Sequence, residues 1–184
     1  MDFCTQCGGP THQIVPLGDN RMRIVCQHCH HVHYQNPKIV TGCLVHQQEK
    51  VLLCQRAINP RIGKWTVPAG FLENGESLED GAARETQEEA CAKVAIKKLY
   101  VLSNLLHVNQ IYLLYRAELV DNDFKSGEET MDIKLVSEHE VPWDDIAFPT
   151  VKIALQRFFK DYSKNDFPLT EYTFNGQNLK LNAQ

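Results

Sequence analysis

Between Gly70 and Ala90 the chain reads GFLENGESLEDGAARETQEEA, and Glu85, Glu88 and Glu89 crowd together beside Arg84. Spacings of three and four place these carboxylates on one face of a helix. Like charges at such spacings repel by about 0.2–0.5 kcal/mol per pair in water, and by more when desolvated. Arg84 lies one turn before Glu88 and relieves part of that repulsion. A solvated acidic face is the plain alternative. The segment before the helix, NPRIGKWTVPAGF, is rich in Pro and Gly and ends at Gly70, so it can bring backbone carbonyls close. Hard oxygen donors gathered in this way suit Mg²⁺ or Mn²⁺.

A second constellation lies near the N-terminus. CTQC at 4–7 and CQHC at 26–29 are separated by 18 residues. Each CxxC knuckle aims two thiolates at one point, so Cys4, Cys7, Cys26 and Cys29 supply a tetrahedral set of soft ligands for structural Zn²⁺. His28, His30, His31 and His33 are alternative ligands, but four suitably spaced Cys leave them the ribbon surface. Paired motifs also fit zinc better than a redox role.

These residues need elements to hold them. Residues 1–34 read as a zinc ribbon, with RMRIVC as a strand and HHVHYQNP as the return strand and exit. So short a segment buries little core, and the metal supplies most of its folding energy. From Lys38 the texture changes: KIVTGCLVHQ and KVLLCQR are apolar, β-branched runs that predict a hairpin. Ser77 is a good N-cap, and a helix is expected over 78–92, with Ala82, Ala83, Thr86 and Ala90 letting it approach a sheet closely. VAIKKLYVLSNL, HVNQIYLLYRAELV and IKLVS follow as strands, and VPWDDIAF as a turn with a one-turn helix. PTVKIALQRFFKDYS is an amphipathic helix with Pro149 near its start and Ile153, Leu155, Phe158 and Phe159 among its apolar positions. The tail, 166–184, carries an Asn175-Gly176 turn and reads as a terminal hairpin or a loose arm. Strands on both sides of a central helix, with a late second helix, imply a mixed sheet between helices.

Bulk properties exclude some classes. The formal net charge is -4, which argues against a nucleic-acid partner for the chain as a whole. No secretory signal and no apolar run of membrane-spanning length is visible, so a cytoplasmic protein without a membrane partner is expected. Cys43, Cys54 and Cys91 are expected to be buried, reduced thiols.

Gly70, Glu76 and RETQEEACA at 84–92 match the Nudix box, G-x5-E-x7-R-E-U-x-E-E-x-G-U. Thr86 stands where an aliphatic residue is usual, and Cys91 stands in place of the Gly. With the four-Cys ribbon, NPKIV and GKWTVPAGFLENGES ahead of the box, the chain resembles the zinc-ribbon Nudix hydrolases over residues 1–160. That group includes the NADH pyrophosphatases. The resemblance implies a Nudix α/β/α sandwich over 35–165 and hydrolysis of a nucleoside diphosphate linked to another moiety.

The same resemblance implies roles for individual residues. The Gly70 carbonyl, Glu85 and Glu89 ligate Mg²⁺ (or Mn²⁺), with Glu88 as a further ligand or water holder. Glu76 and Arg84 support the box. SGEET offers Glu128 and Glu129 as a general base, unless that loop is simply solvated. Arg56 and Arg61 are candidates for gripping phosphate, and Phe71 and Tyr112 for stacking on a base, with core packing as the other role for Tyr112. The NADH enzymes' S-Q-P-W-P-F-P-x-S run corresponds to SNLLHVNQIYLLY, where only Ser103 survives. ADP-ribose or FAD, releasing AMP, is therefore expected ahead of NADH. Other readings are a triphosphatase for damaged nucleotides, a non-catalytic Nudix ligand sensor and a nucleic-acid-binding zinc-ribbon protein. A homodimer is expected by analogy.

Overall fold

A computed structural model describes residues 1–181. The chain divides into two compact units, Met1–Pro37 and the chain from Lys38 onward.

The first unit is a three-stranded antiparallel sheet of β1 (Thr11–Ile14), β2 (Arg23–Cys26) and β3 (Val32–His33), in that order. β2 and β3 are the two expected strands. β1 is an addition to them: THQI, running between loops, carries little apolar signal and is held by four-residue pairing to β2.

The second unit is built on a nine-stranded mixed sheet. Its strands are β4 (Lys38–Gln47), β5 (Lys50–Arg56), β6 (Trp65–Thr66), β7 (Ala69–Phe71), β8 (Val94–Leu105), β9 (Gln110–Leu119), β10 (Thr130–Val136), β11 (Thr170–Phe174) and β12 (Leu179–Leu181). The order is β10-β5-β4-β9-β8-β11-β12, with β6 on β5 and β7 on β4. β4–β9 and β8–β11 are parallel, and the other pairs are antiparallel. Helices α1 (Leu78–Ala90) and α2 (Pro149–Tyr162) complete the unit.

Strand periodicity makes three layers. Along β4, β5 and β9, Leu44, Leu53 and Leu114 join Val151, Ala154, Leu155 and Phe158 of α2 in one core cluster. Their neighbours Cys43, Val45, Leu52, Cys54, Tyr115 and Ala117 join Ala82 and Ala90 of α1 in the other. A central strand with both faces covered loses the polar half of the usual alternation, which is why these runs are almost wholly apolar. The sandwich of a mixed sheet between two helices is the expected architecture. On α2 the buried stripe is Val151, Ala154, Leu155 and Phe158, whereas Ile153 and Phe159 lie at its margin.

Of the tail expected over 166–184, residues 182–184 lie outside the described residues; in the rest, β11 and β12 form the hairpin. β11 pairs along its whole length with β8, and Tyr172 in its centre is fully buried, donating from its hydroxyl to Thr150 O at 3.1 Å. The outer edge of β8 needs a partner for its backbone groups, and β11 supplies it. Among the described residues no helix is long and apolar enough to cross a membrane.

Candidate active site

Helix α1 starts where its N-cap requires. The Ser77 hydroxyl accepts the Asp80 N–H at 3.1 Å, and Glu79 and Asp80 sit in the positively polarised first turn. The Ala82 and Ala90 side chains lie against the sheet with no exposure, and the Cys43 thiol donates to Ala82 O. Thr86 is also fully buried, and its hydroxyl donates to Ala82 O at 2.8 Å, so the polar atom that an aliphatic side chain would lack is satisfied within the helix. The helix stops at Ala90, two residues earlier than expected. Cys91 follows in the left-handed region with φ 47° and ψ 26°, its N–H closing on Gln87 O. That conformation explains why a glycine suits the position. Cys43 and Cys54 are buried as expected, while Cys91 is only half-buried at the helix cap.

Arg84 is the hub of the site, and each of its five N–H donors has a partner. Nε and Nη2 reach the two Glu76 oxygens at 3.0 and 2.8 Å, Nη1 reaches Glu85 at 2.8 Å and Glu88 at 3.0 Å, and Nη2 also reaches Phe71 O at 3.1 Å. Glu76 additionally accepts the Glu73 N–H, and Arg84 first, then that N–H, hold its carboxyl at about 2. The box loop and helix are thereby tied together by one guanidinium. Gly70 faces Glu85 so closely that a Cβ there would overlap its carboxylate.

Glu89 is 7% exposed and accepts the Ala69 N–H at 3.2 Å. Burial pushes its carboxyl up to about 7; the Ala69 N–H opposes the rise, and the charges of Glu85 and Glu129 add to it. Burial also raises Glu85, against the pull of Arg84. One Arg84 charge is therefore shared among Glu76, Glu85 and Glu88, and among the described residues no cation forms an ion pair with Glu89. Half-buried oxygen donors with an excess of negative charge fit a hard divalent cation.

These groups line a cleft of about 860 Å³. The cleft collects most of the residues singled out from sequence: Arg56, Gly70, Phe71, Arg84, Glu85, Glu88, Glu89, Tyr112 and Glu128. Glu76 lies behind Arg84 in its supporting role. Arg61 is not brought in; it is an exposed turn residue with φ 67°, and the Lys64 N–H donates to its carbonyl. Phe71 is 47% exposed with Lys38 Nζ 5.1 Å from its ring centroid, whereas Tyr112 is buried in the core with one side on the cleft. Both loop carboxylates line the cleft, and the charge of Glu129 adds to the rise at Glu85 and Glu89. Phe148, Ile58 and Pro60, which also line the cleft, carry no signal in the sequence beyond ordinary apolar and loop residues.

In the first unit the four thiols converge, with every Sγ within 4.8 Å of the others, Cys4–Cys29 at 3.7 Å and Cys7–Cys26 at 3.5 Å. A zinc–sulfur bond of about 2.3 Å in a tetrahedron separates sulfurs by about 3.8 Å, so the set fits Zn²⁺. Backbone N–H groups of Gln6 and His28 point at Cys4 and Cys26 at 3.3 Å, as expected for thiolates. The nearby histidines stay outside this group; His31 and His33 pack ring to ring at 4.7 Å.

A four-thiol ribbon and a sandwich whose box loop and helix gather three carboxylates about one arginine define a Nudix-type hydrolase. Residues 36–160 match the NUDIX domain and residues 2–35 match the Nudix N-terminal zinc ribbon, and the chain belongs to the Nudix family. The crystal structure of a NUDIX hydrolase from Nitrosomonas europaea is similar at a TM-score of 0.89 with 47% identity, covering 95% of this chain and 100% of that one. The NAD-capped RNA hydrolase NudC of Photobacterium profundum is 30% identical over 138 residues, 75% of this chain and 48% of its own length. That of Vibrio vulnificus is 41% identical over 96 residues, 51% of this chain and 34% of its own length. The chain spans about a third to a half of the length of these curated relatives. An ADP-ribose pyrophosphatase from Streptococcus suis shares the fold, with a TM-score of 0.63 at 19% identity over 74% of this chain and 99% of that one.

Proposed function

We propose that the chain hydrolyses the diphosphate joining a nucleoside to a second phosphorylated moiety, releasing a nucleoside monophosphate such as AMP. The cleft's charge inventory carries this reading. Among the described residues its lining holds six carboxylates, Glu73, Glu85, Glu88, Glu89, Glu128 and Glu129, against two cations, Arg56 and Arg84. Since Arg84 is fully committed, a polyphosphate can enter only with divalent cations. The Gly70 carbonyl, Glu85, Glu88 and Glu89 would hold Mg²⁺ or Mn²⁺. Such cations neutralise phosphoryl oxygens and lower the pKa of a bound water.

The remaining tasks fall to side chains in place. Arg56, whose Nε donates to Pro60 O at 2.7 Å and whose guanidinium lies 5.4 Å from the Phe148 ring centroid, keeps its terminal nitrogens for a phosphate. The exposed face of Phe71 offers a stacking surface for a base, and Tyr112 shapes the floor. Glu129, with Glu128 beside it in the cleft lining, is our candidate to take the proton of the attacking water.

Among diphosphates, ADP-ribose and FAD come ahead of NADH. Ser103, which alone survives from the NADH enzymes' run, is fully buried and is not among the residues that line the cleft. The relatives named as NAD-capped RNA hydrolases bring an RNA-linked dinucleotide into consideration, so a nucleic-acid partner is a matter for assay rather than for net charge. A cytoplasmic homodimer completes the reading, resting on the resemblance; light scattering tests the dimer.

The deciding experiment is a substrate panel of ADP-ribose, FAD, NADH, NAD-capped RNA and an oxidised nucleoside triphosphate, each with Mg²⁺ or Mn²⁺ and with products identified chromatographically. AMP release from the first two ahead of NADH is expected. Turnover of the triphosphate alone overturns the reading, and tight binding without turnover of any compound identifies a sensor.

A further inference from the structure

We propose that Gly127 is a positioning residue: its bare backbone, seated on the last turn of α1, sets the distance between the loop carboxylates and the helix carboxylates. The inference rests on the metal-dependent reading of the cleft.

The loop between β9 and β10 brings Glu128 and Glu129 to the box helix from far along the chain, and the way it is fastened is specific. The Lys125 N–H donates to Ala90 O and the Gly127 N–H to Glu89 O, each at 3.0 Å. Those carbonyls belong to the last turn of α1 and have no partner inside the helix. Loop and helix end therefore satisfy each other. On the far side of the acidic pair, the Thr130 N–H closes a turn on Gly127 O at 3.2 Å, and the Ala57 N–H donates to Glu129 O at 2.8 Å. Glu128 and Glu129 are thus strung between two fixed points with no slack.

Gly127 makes the first of those points possible. A Cβ there would overlap the carbonyl of Glu88 and press on the Cα of Glu89. Its backbone lies outside the left-handed region, unlike that of Gly63 or Gly75, where a Cβ would meet nothing. The glycine is there for space, and the space is the contact between the loop and Glu88 and Glu89, two residues that would hold the metal. Any side chain at 127 must lift the loop from α1, and Glu129 moves with it. Displacements on the order of 1 Å at such a site cost roughly 10- to 100-fold in rate.

The test is a double-mutant cycle of Gly127→Ala and Glu129→Gln, read as kcat and KM on the diphosphate that the wild type turns over best, together with Mn²⁺ affinity by calorimetry. Gly127→Ala is expected to lower kcat by roughly 10- to 100-fold and weaken Mn²⁺ binding, with KM within about twofold. In the Glu129→Gln background the same change is expected to add less than about twofold, because the position acts through Glu129. Wild-type kcat and Mn²⁺ affinity in Gly127→Ala, or losses that multiply fully in the double variant, overturn the proposal. Should Gly127→Ala not fold, as judged by circular dichroism, Lys125→Pro removes the other loop-to-helix hydrogen bond without bulk at Glu88, and the same pattern is required of it. If the wild type hydrolyses no diphosphate, the functional reading fails, and the Mn²⁺ arm still decides the role of Gly127.

Discussion

The left-handed helix cap at Cys91 allows a quantitative test of how the box helix ends. With φ 47° and ψ 26°, Cys91 places its Cβ against the following carbonyl, a conformation that costs an L-residue about 1–2 kcal/mol. Cys91→Gly removes that strain, but glycine gives back roughly 0.5–1 kcal/mol through the greater freedom of the unfolded chain. The net expectation is a stabilisation of about 0.5–1 kcal/mol. For a chain of this size that is an upward shift in Tm of about 1–4 °C. Cys91→Ala keeps the strain and should give none of the gain. Both tryptophans, Trp65 and Trp143, lie in the second unit, so their fluorescence follows its unfolding without a signal from the ribbon. Urea titrations of the three proteins with zinc held bound supply the comparison. A Cys91→Gly variant no more stable than Cys91→Ala would refute the reasoning, because the backbone conformation would then not be the source of the cost.

The site's electrostatics and the ribbon's thiolates lead to four more expectations. Glu89→Gln should lower hydrolysis at least about 100-fold while leaving the urea midpoint intact or raised, since it removes a buried carboxylate of the proposed metal site. In metal-free protein, the folded state holds the Glu89 proton up to about pH 7, whereas the unfolded state releases it near 4.5. Stability therefore falls as pH rises through that window, by at most about 3 kcal/mol, and levels above it; Mg²⁺ or Glu89→Gln should flatten the profile measured by denaturation. Arg84→Lys replaces five donors in a planar fork with three, and should cost roughly 1–3 kcal/mol in stability and at least about tenfold in kcat. Purified protein should contain about one zinc per chain, and a strong chelator should unfold residues 1–37 while the tryptophan-detected transition persists.

Much of the architecture is legible in the sequence because its signals are local. The hairpin of β4 and β5, the strands β8 and β9, and both helices announce themselves through runs and caps within a dozen residues. β1 is invisible there because THQI has neither an apolar run nor alternation; its strand state comes from pairing with β2. The tail is ambiguous for a similar reason. An Asn-Gly turn predicts a hairpin, but only the exposed edge of β8 determines that β11 joins the main sheet.

The candidate site divides along the same line. Cysteine spacing specifies the thiol cluster, and the periodicity of Glu85, Glu88 and Glu89 puts three carboxylates on one helix face, since each knuckle and each helical turn fixes its geometry over three or four residues. Tertiary structure decided which distant residues meet them: Arg56 enters the cleft while Arg61 stays out, and Glu128 and Glu129 are brought to the helix carboxylates from the loop before β10. No local pattern brings Glu128 and Glu129 to that helix. What does is the fastening of their loop to the end of α1, a contact between segments some forty residues apart that depends on the packing of the whole sheet.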